Sequence, residues 1–230
     1  MPEPTLIHIV GNRPQFIKLA VLYNAIKEYS SFRQFIIHTG QHSSKEMSEI
    51  FFHELMIPAP DLQLDIKAHH PDEFTGKAAA RIEYAFSEKK NDDLVLVYGD
   101  TNSTLAGALA AKRSRKKLLH FESGVRTPDT SMPEEINRVL TDRLSDVHYC
   151  CTENNKTSLI NEGFGKSIPG QVIWTGDLML DAFLLVPQSE KRIIASKEYI
   201  ACTIHRAGNI INPHNLREIV TSLNFIHKET

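Results

Sequence analysis

Residues 94–112 read LVLVYGDTNSTLAGALAAK. The unbroken apolar run from Leu94 to Tyr98 is the pattern of a strand covered on both faces, as strands in a parallel sheet are. Gly99 and Asp100 end the run. Thr101, Asn102 and Ser103 then lead into a segment whose Ala106, Gly107, Ala108, Ala110 and Ala111 let a helix lie close against the sheet. Asp100 is thereby delivered to the sheet's edge. Its alternative role is that of a helix N-cap, and the two are compatible.

The same pattern recurs on both sides. Short runs rich in β-branched residues occur at Thr5 to Val10, Phe32 to His38, Lys117 to Phe121, Val147 to Cys150, Val172 to Trp174 and Tyr199 to Ile204. Helical spacing separates them, at Phe16 to Tyr29, Lys45 to Leu55, Glu73 to Lys89, Glu134 to Ser145 and Lys156 to Gly163. Strand and helix in alternation predict an α/β fold on a parallel sheet. The break at PGQVIWT, residues 169–175, sets the expected boundary: 1–170 as this domain and 171–230 as part of a second one. About sixty residues are too few for another doubly wound domain, so the second is expected to be incomplete.

Polar residues gather directly after the strands. Gly11, Asn12 and Arg13 follow the first run, and Gly40, Gln41 and His42 the second. Asp100, then Glu122, Ser123 and Gly124, then His205 and Arg206 follow later ones. In an open parallel sheet these positions line one edge, where ligands bind beside a topological switch point.

Composition narrows the ligand. With 26 Lys and Arg against 28 Asp and Glu there is no bulk attraction to nucleic acid or to a membrane surface, so an anionic ligand has to be held locally. Three cysteines, two of them the neighbours Cys150 and Cys151, suit neither a disulfide framework nor a zinc site, and point to a reducing cytoplasm. MPEPTLIHIV has no basic leader, and no apolar stretch nears the roughly 20 residues that span a bilayer.

Two groups of motifs carry chemistry. In GNRPQFIK, a glycine, a helix start, Arg13 and Lys18 together suit a diphosphate; a Pro-started helix with a solvated Arg is the equal alternative. In HTGQH, a lone His42 reads more readily as a cap or a surface side chain than as a ligand, and only the accompanying motifs bring it into a site. HFESGVRT brings Glu122 to a strand end, while MPEEINRVLTDRLSD sets Glu134, Glu135 and Arg138 at a helix start, where Glu135 and Arg138 alone would be a surface pair. Asp100, Glu122 and a third carboxylate beside Arg13, Lys18 and His205 suit proton abstraction next to a departing anion. Crowded carboxylates also raise one another's pKa, which lets one serve as an acid.

GNRPQFIK, TGQH, VYGDTNSTLAGALAA, HFESGVRT, MPEEINRVLTDRLSD, the TGD of Thr175 to Asp177 and TIHRAGN together resemble the non-hydrolysing UDP-N-acetylglucosamine 2-epimerases along nearly the whole chain. The RPQFIK and VYGDTNST wording is similar to members acting on UDP-2,3-diacetamido-2,3-dideoxyglucuronic acid. The resemblance implies a glycosyltransferase-B-like architecture with the nucleotide sugar between two Rossmann-like domains. It implies elimination of UDP to a 2-acetamidoglucal and re-addition, with no metal and no redox cofactor. Asp100, Glu122, Glu135 and His205 become the catalytic candidates; Arg13, Lys18, Gln41, His42 and Arg138 would hold the diphosphate or sugar. The expected partners are the UDP-sugar and a second copy of the chain. Two departures accompany it: Gly208 stands before Asn209 where a Glu-Asn pair is usual, and the family's remaining second domain has no counterpart after Thr230. The competing functions are a UDP-sugar glycosyltransferase, a hydrolysing epimerase, and a nucleotide-sugar-binding or dimerisation module without catalysis.

Overall fold

The computed structural model describes residues 4–40, 51–68, 70–87, 93–185, 200–204 and 207–229. The chain divides into two compact units, Met1–Pro187 and Gln188–Thr230. The first holds β1 (Thr5–Val10), α1 (Arg13–Tyr29), β2 (Arg33–His38), β3 (Leu62–Gln63), α2 (Pro71–Phe86), β4 (Leu94–Tyr98) and α3 (Asn102–Arg113). It continues through β5 (Lys117–Phe121), α4 (Pro133–Leu144), β6 (Val147–Cys150), α5 (Glu153–Asn161), β7 (Gln171–Trp174) and α6 (Leu178–Leu185). The second holds α7 (Ala207–Ile210) and α8 (Pro213–Glu229).

All strand pairs are parallel, in the order β3-β2-β1-β4-β5-β6-β7. The order reverses between β1 and β4, which opens the crevice there. Alternate residues feed opposite faces, as the two-residue period of a strand requires. Ile7, Ile9, Val95, Val97 and Leu118 pack in one apolar cluster with α2 and α3, and Leu6, Val10, Leu96, Tyr98 and Leu119 in another with α1. The small side of α3 is needed where it meets the sheet: a Cβ on Gly107 would lie 3.0 Å from Val97.

The expected boundary at 170/171 moves. β7 hydrogen-bonds to β6 and is the seventh strand of the same sheet, and the compact unit runs on to Pro187. The composition break has a local cause: Gly170 has φ 142°, and a Cβ there would come 2.8 Å from the ring of His148. It marks a tight entry to an edge strand. Residues 200–204, expected as a strand, carry no regular structure, and no strand is described in the second unit for them to pair with. No described helix is long and apolar enough to cross a membrane.

Candidate active site

The floor of the crevice is made by the turns after β1, β4 and β5. Gly11 is buried where a Cβ would strike Ser103 Oγ at 2.0 Å and Thr39 Oγ1 at 2.3 Å, so no other residue fits. Gln15, one turn into α1, ties two of these turns together. Its Oε1 accepts from Gly11 N–H at 2.7 Å, and its Nε2 donates to the Tyr98 carbonyl at 2.9 Å and to Thr104 Oγ1 at 2.9 Å. Beside it Thr39 Oγ1 and Ser103 Oγ are 2.7 Å apart. All these groups are uncharged.

Asp100 leaves the cap to its neighbour. Thr101 is the N-cap of α3 and accepts from Thr104 N–H, which frees the Asp100 carboxylate to pair with Arg138. The Arg138 guanidinium reaches Asp100 with Nη2 and Glu135 with Nη1. Glu135 and Arg138 are both buried, so their three-residue spacing makes part of the crevice wall and not a surface pair. Glu135 Oε2 also accepts from Thr127 N–H at 3.0 Å, and Asn137 Nδ2 donates to the Asp100 carbonyl at 3.0 Å.

Glu122 pairs with Lys18, which is buried. Burial pushes the Lys18 ammonium below its ordinary pKa, and Asp100, Cys151 and Asp177 pull against that shift. Glu122 has φ +72°, a left-handed backbone that a residue with a Cβ adopts at a cost of order 1 kcal/mol or more, as residues held at functional sites do. Lys18, Glu122, Phe121, Tyr149, Cys151 and Asp177 line one small recess. The three carboxylates are therefore interleaved with cations: Arg138 lies between Asp100 and Glu135, and Lys18 covers Glu122.

Arg13 is exposed at the start of α1, its guanidinium 5.6 Å over the Phe51 ring. The first turn of α1 carries no acidic residue. Gln41, His42 and His205 lie outside the described residues.

Under the carboxylates is a network that sequence reasoning missed. His120 is fully buried, its Nε2 2.7 Å from the Gly99 carbonyl oxygen and its Nδ1 2.7 Å from Asp142 Oδ1. Asp142 Oδ2 accepts from Gly124 N–H at 3.1 Å and from Arg126 Nη1 at 2.7 Å, and Arg126 Nε donates to Glu162 at 2.6 Å. Burial raises the Asp142 pKa, but His120 and Arg126 outweigh it and hold the group at about 2. The available signal was a histidine inside KLLHF, a polar residue in an otherwise apolar strand.

The arrangement is three carboxylates and their counter-cations at the switch point of a parallel sheet, with a carboxylate-free helix start beside them. A model of the UDP-N-acetylglucosamine 2-epimerase family matches residues 24–230. The chain is 45% identical over 224 residues to UDP-2,3-diacetamido-2,3-dideoxy-D-glucuronate 2-epimerase of Pseudomonas aeruginosa, covering 96% of this chain and 63% of that protein. It is similar to the crystal structure of Methanocaldococcus jannaschii UDP-GlcNAc 2-epimerase in complex with UDP-GlcNAc and UDP, with TM-score 0.86 and 37% identity over 97% of this chain and 63% of that one. The Neisseria meningitidis UDP-GlcNAc 2-epimerase bound to UDP-GlcNAc matches with TM-score 0.70 and 29% identity, covering 78% and 48%. The chain thus spans less than two thirds of the length of these relatives. With most of its length inside the family model, and with Asp100, Glu122, Glu135 and Arg138 drawn to one crevice, this chain belongs to the UDP-N-acetylglucosamine 2-epimerase family.

Proposed function

We propose that the chain is the catalytic N-terminal part, with the opening of the second domain, of a non-hydrolysing UDP-sugar 2-epimerase of glycosyltransferase-B-like architecture. The carrying observation is the interleaved set Asp100–Arg138–Glu135 and Lys18–Glu122 at adjoining strand ends. A carboxylate takes the C2 proton as the C1–O bond breaks. The C–H electrons form the C1=C2 bond, and the bonding pair leaves with UDP. UDP then returns to C1 while a proton arrives on the other face of C2. Inversion therefore consumes no redox equivalent.

Asp100, Glu122 and Glu135 are the groups for the two proton transfers, since carboxylates on more than one turn are needed to reach both faces. Arg13 and the N-terminus of α1 suit the diphosphate, where unpaired helix N–H groups and a guanidinium attract an anion. Lys18 and Arg138 neutralise the carboxylates between transfers. Gln41, His42 and His205 complete the site by resemblance, His205 from the second domain. Identity of 45% to the Pseudomonas aeruginosa protein favours a UDP-2,3-diacetamido-2,3-dideoxyglucuronate substrate alongside UDP-N-acetylglucosamine. The three free thiols fit a cytoplasmic enzyme, and the second copy expected in the assembly is a homodimer partner.

The test is deuterium incorporation at C2 of the recovered UDP-sugar, measured by mass spectrometry in deuterated water with the full-length gene product. Asp100→Asn, Glu122→Gln and Glu135→Gln should each lower exchange about 100-fold or more. Epimerisation without deuterium incorporation overturns elimination, and free N-acetylmannosamine as product identifies a hydrolysing enzyme instead.

A further inference from the structure

The proposed proton-transfer groups stand on two separate turns, Gly99–Asp100 after β4 and Glu122–Gly124 after β5. The β4–β5 register ends at Tyr98 and Phe121; just beyond it Gly99 N–H donates to the Phe121 carbonyl at 2.9 Å and Glu122 N–H to the Tyr149 carbonyl at 3.0 Å, bonds that hold backbone and leave the two carboxylate side chains undirected. One buried side chain joins both turns. His120 Nε2–H holds the Gly99 carbonyl, while Nδ1–H holds Asp142, whose other oxygen accepts Gly124 N–H. The His120 carbonyl in turn accepts from Ser123 Oγ at 2.9 Å. Asp142 is two helical positions beyond Leu140 on α4, the helix that also carries Glu135 and Arg138. All three carboxylate-bearing elements therefore meet at the His120–Asp142 pair.

The partners dictate the state of the ring. A carbonyl and an ionised carboxylate are acceptors only, so both imidazole nitrogens must carry protons. The ring is then a cation with Asp142 as counter-ion, and Arg126 links Asp142 to Glu162, which Arg143 also approaches at 3.9 Å. Such a pair, fully buried and charge-assisted, is stiffer than the neutral hydrogen bonds around it.

We propose that His120 and Asp142 are positioning residues of the epimerisation, fixing the distance between Asp100 and Glu122 without touching the sugar. This rests on the proposed roles of those two carboxylates. Misplacing a reacting group by about 1 Å costs on the order of 100-fold in rate. The effect belongs to the transition state, so it falls on kcat and spares KM.

Two variants divide the tether. The amide nitrogen of Asn overlays Nδ1 of a histidine and that of Gln overlays Nε2, so His120→Asn keeps the Asp142 bond and drops the Gly99 bond, and His120→Gln does the reverse. In the full-length gene product, each variant severs one end of the tether and should lower kcat for C2 exchange tenfold or more relative to the parent, with both KM values within about twofold of it. Nitrogen-15 NMR of the unaltered 230-residue chain should show protons on both His120 nitrogens at neutral pH. A parent-like kcat in either folded variant, a loss confined to KM, or one bare ring nitrogen overturns the proposal. If neither variant folds, the NMR result decides it. A parent protein that exchanges no deuterium refutes the proposed function, and the NMR signature still tests the tether.

Discussion

The ends of β1 and β4 are joined by uncharged groups, whereas those of β5 and α4 are joined by ions. Gln15 bonds amide, hydroxyl and backbone groups, at Gly11, Tyr98, Thr101 and Thr104, beside the Thr39–Ser103 hydroxyl pair. Around His120 the backbone of Gly99 and Gly124 is held by imidazole and carboxylate, with the Arg126 guanidinium behind them. Neutral groups lose little on burial once paired, and they leave the field at the start of α1 unopposed, where an anionic diphosphate is expected. Buried charges lose several kcal/mol each in desolvation and recover it only in a closed geometry. That dependence on geometry makes them suited to holding catalytic side chains in one place.

Removing one ion should therefore cost more than removing one neutral bridge. Asp142→Ala leaves Arg126 and His120 short of a partner and Gly124 N–H without its acceptor, with an expected loss of about 3–5 kcal/mol in urea unfolding. Gln15→Ala strands the buried Gly11 N–H, while the Tyr98 carbonyl keeps its bond from Thr104 Oγ1 at 2.6 Å. The expected loss there is about 1–3 kcal/mol. Equal losses in the two variants would erase the distinction between the two sides.

How much of this was readable beforehand divides along the same line. β1, β4, β5 and β6 match their sequence-based ranges because buried parallel strands are continuous apolar runs. β3 has only two residues, too few to show a period, and the apolar LMLDAFLL of α6 has no polar face to mark it as a helix. Asp100 and Glu122 could be picked out because residues after strands share an edge, whereas Glu135 and Arg138, at a helix start, stood out only through the family resemblance of MPEEINRVLTDRLSD. His120 and Asp142 could not, since 22 positions separate them and only the fold brings an interior strand residue against α4. Gln15 and Thr104 are 89 positions apart and were equally hidden. Lys18 was expected at the diphosphate, and its burial against Glu122 depended on how α1 lies across the sheet.

Acid should separate the two sides with the smallest effect per residue. On the neutral side His8 is fully buried: Tyr98 O–H donates to its Nδ1 at 2.6 Å and its Nε2–H donates to Gln34 Oε1 at 3.0 Å, so the ring is satisfied only when uncharged. Burial pushes its pKa from 6.5 down to about 4, against the opposing effect of Gln34, and burial does the same to His38 against Asp65. As pH falls through 6.5 the unfolded chain takes up protons that the folded chain refuses until about pH 4. The unfolded state then binds more protons, and stability drops across that window, by roughly 1 kcal/mol per histidine between pH 7 and 5.5. Asp142 has its folded pKa depressed from 3.8 to about 2, so its contribution is present above 3.8 and is lost only as pH falls from there through about 2. The neutral side should thus weaken first. Urea midpoints at pH 7 and 5.5 for the parent chain and for His8→Gln test the order, because the variant removes one of the titrating rings and should flatten the slope. A parent chain whose midpoint stays level from pH 7 to 4.5, and falls only below 4, would mean that the buried histidines carry no acid penalty and that the ionic side is the first to fail.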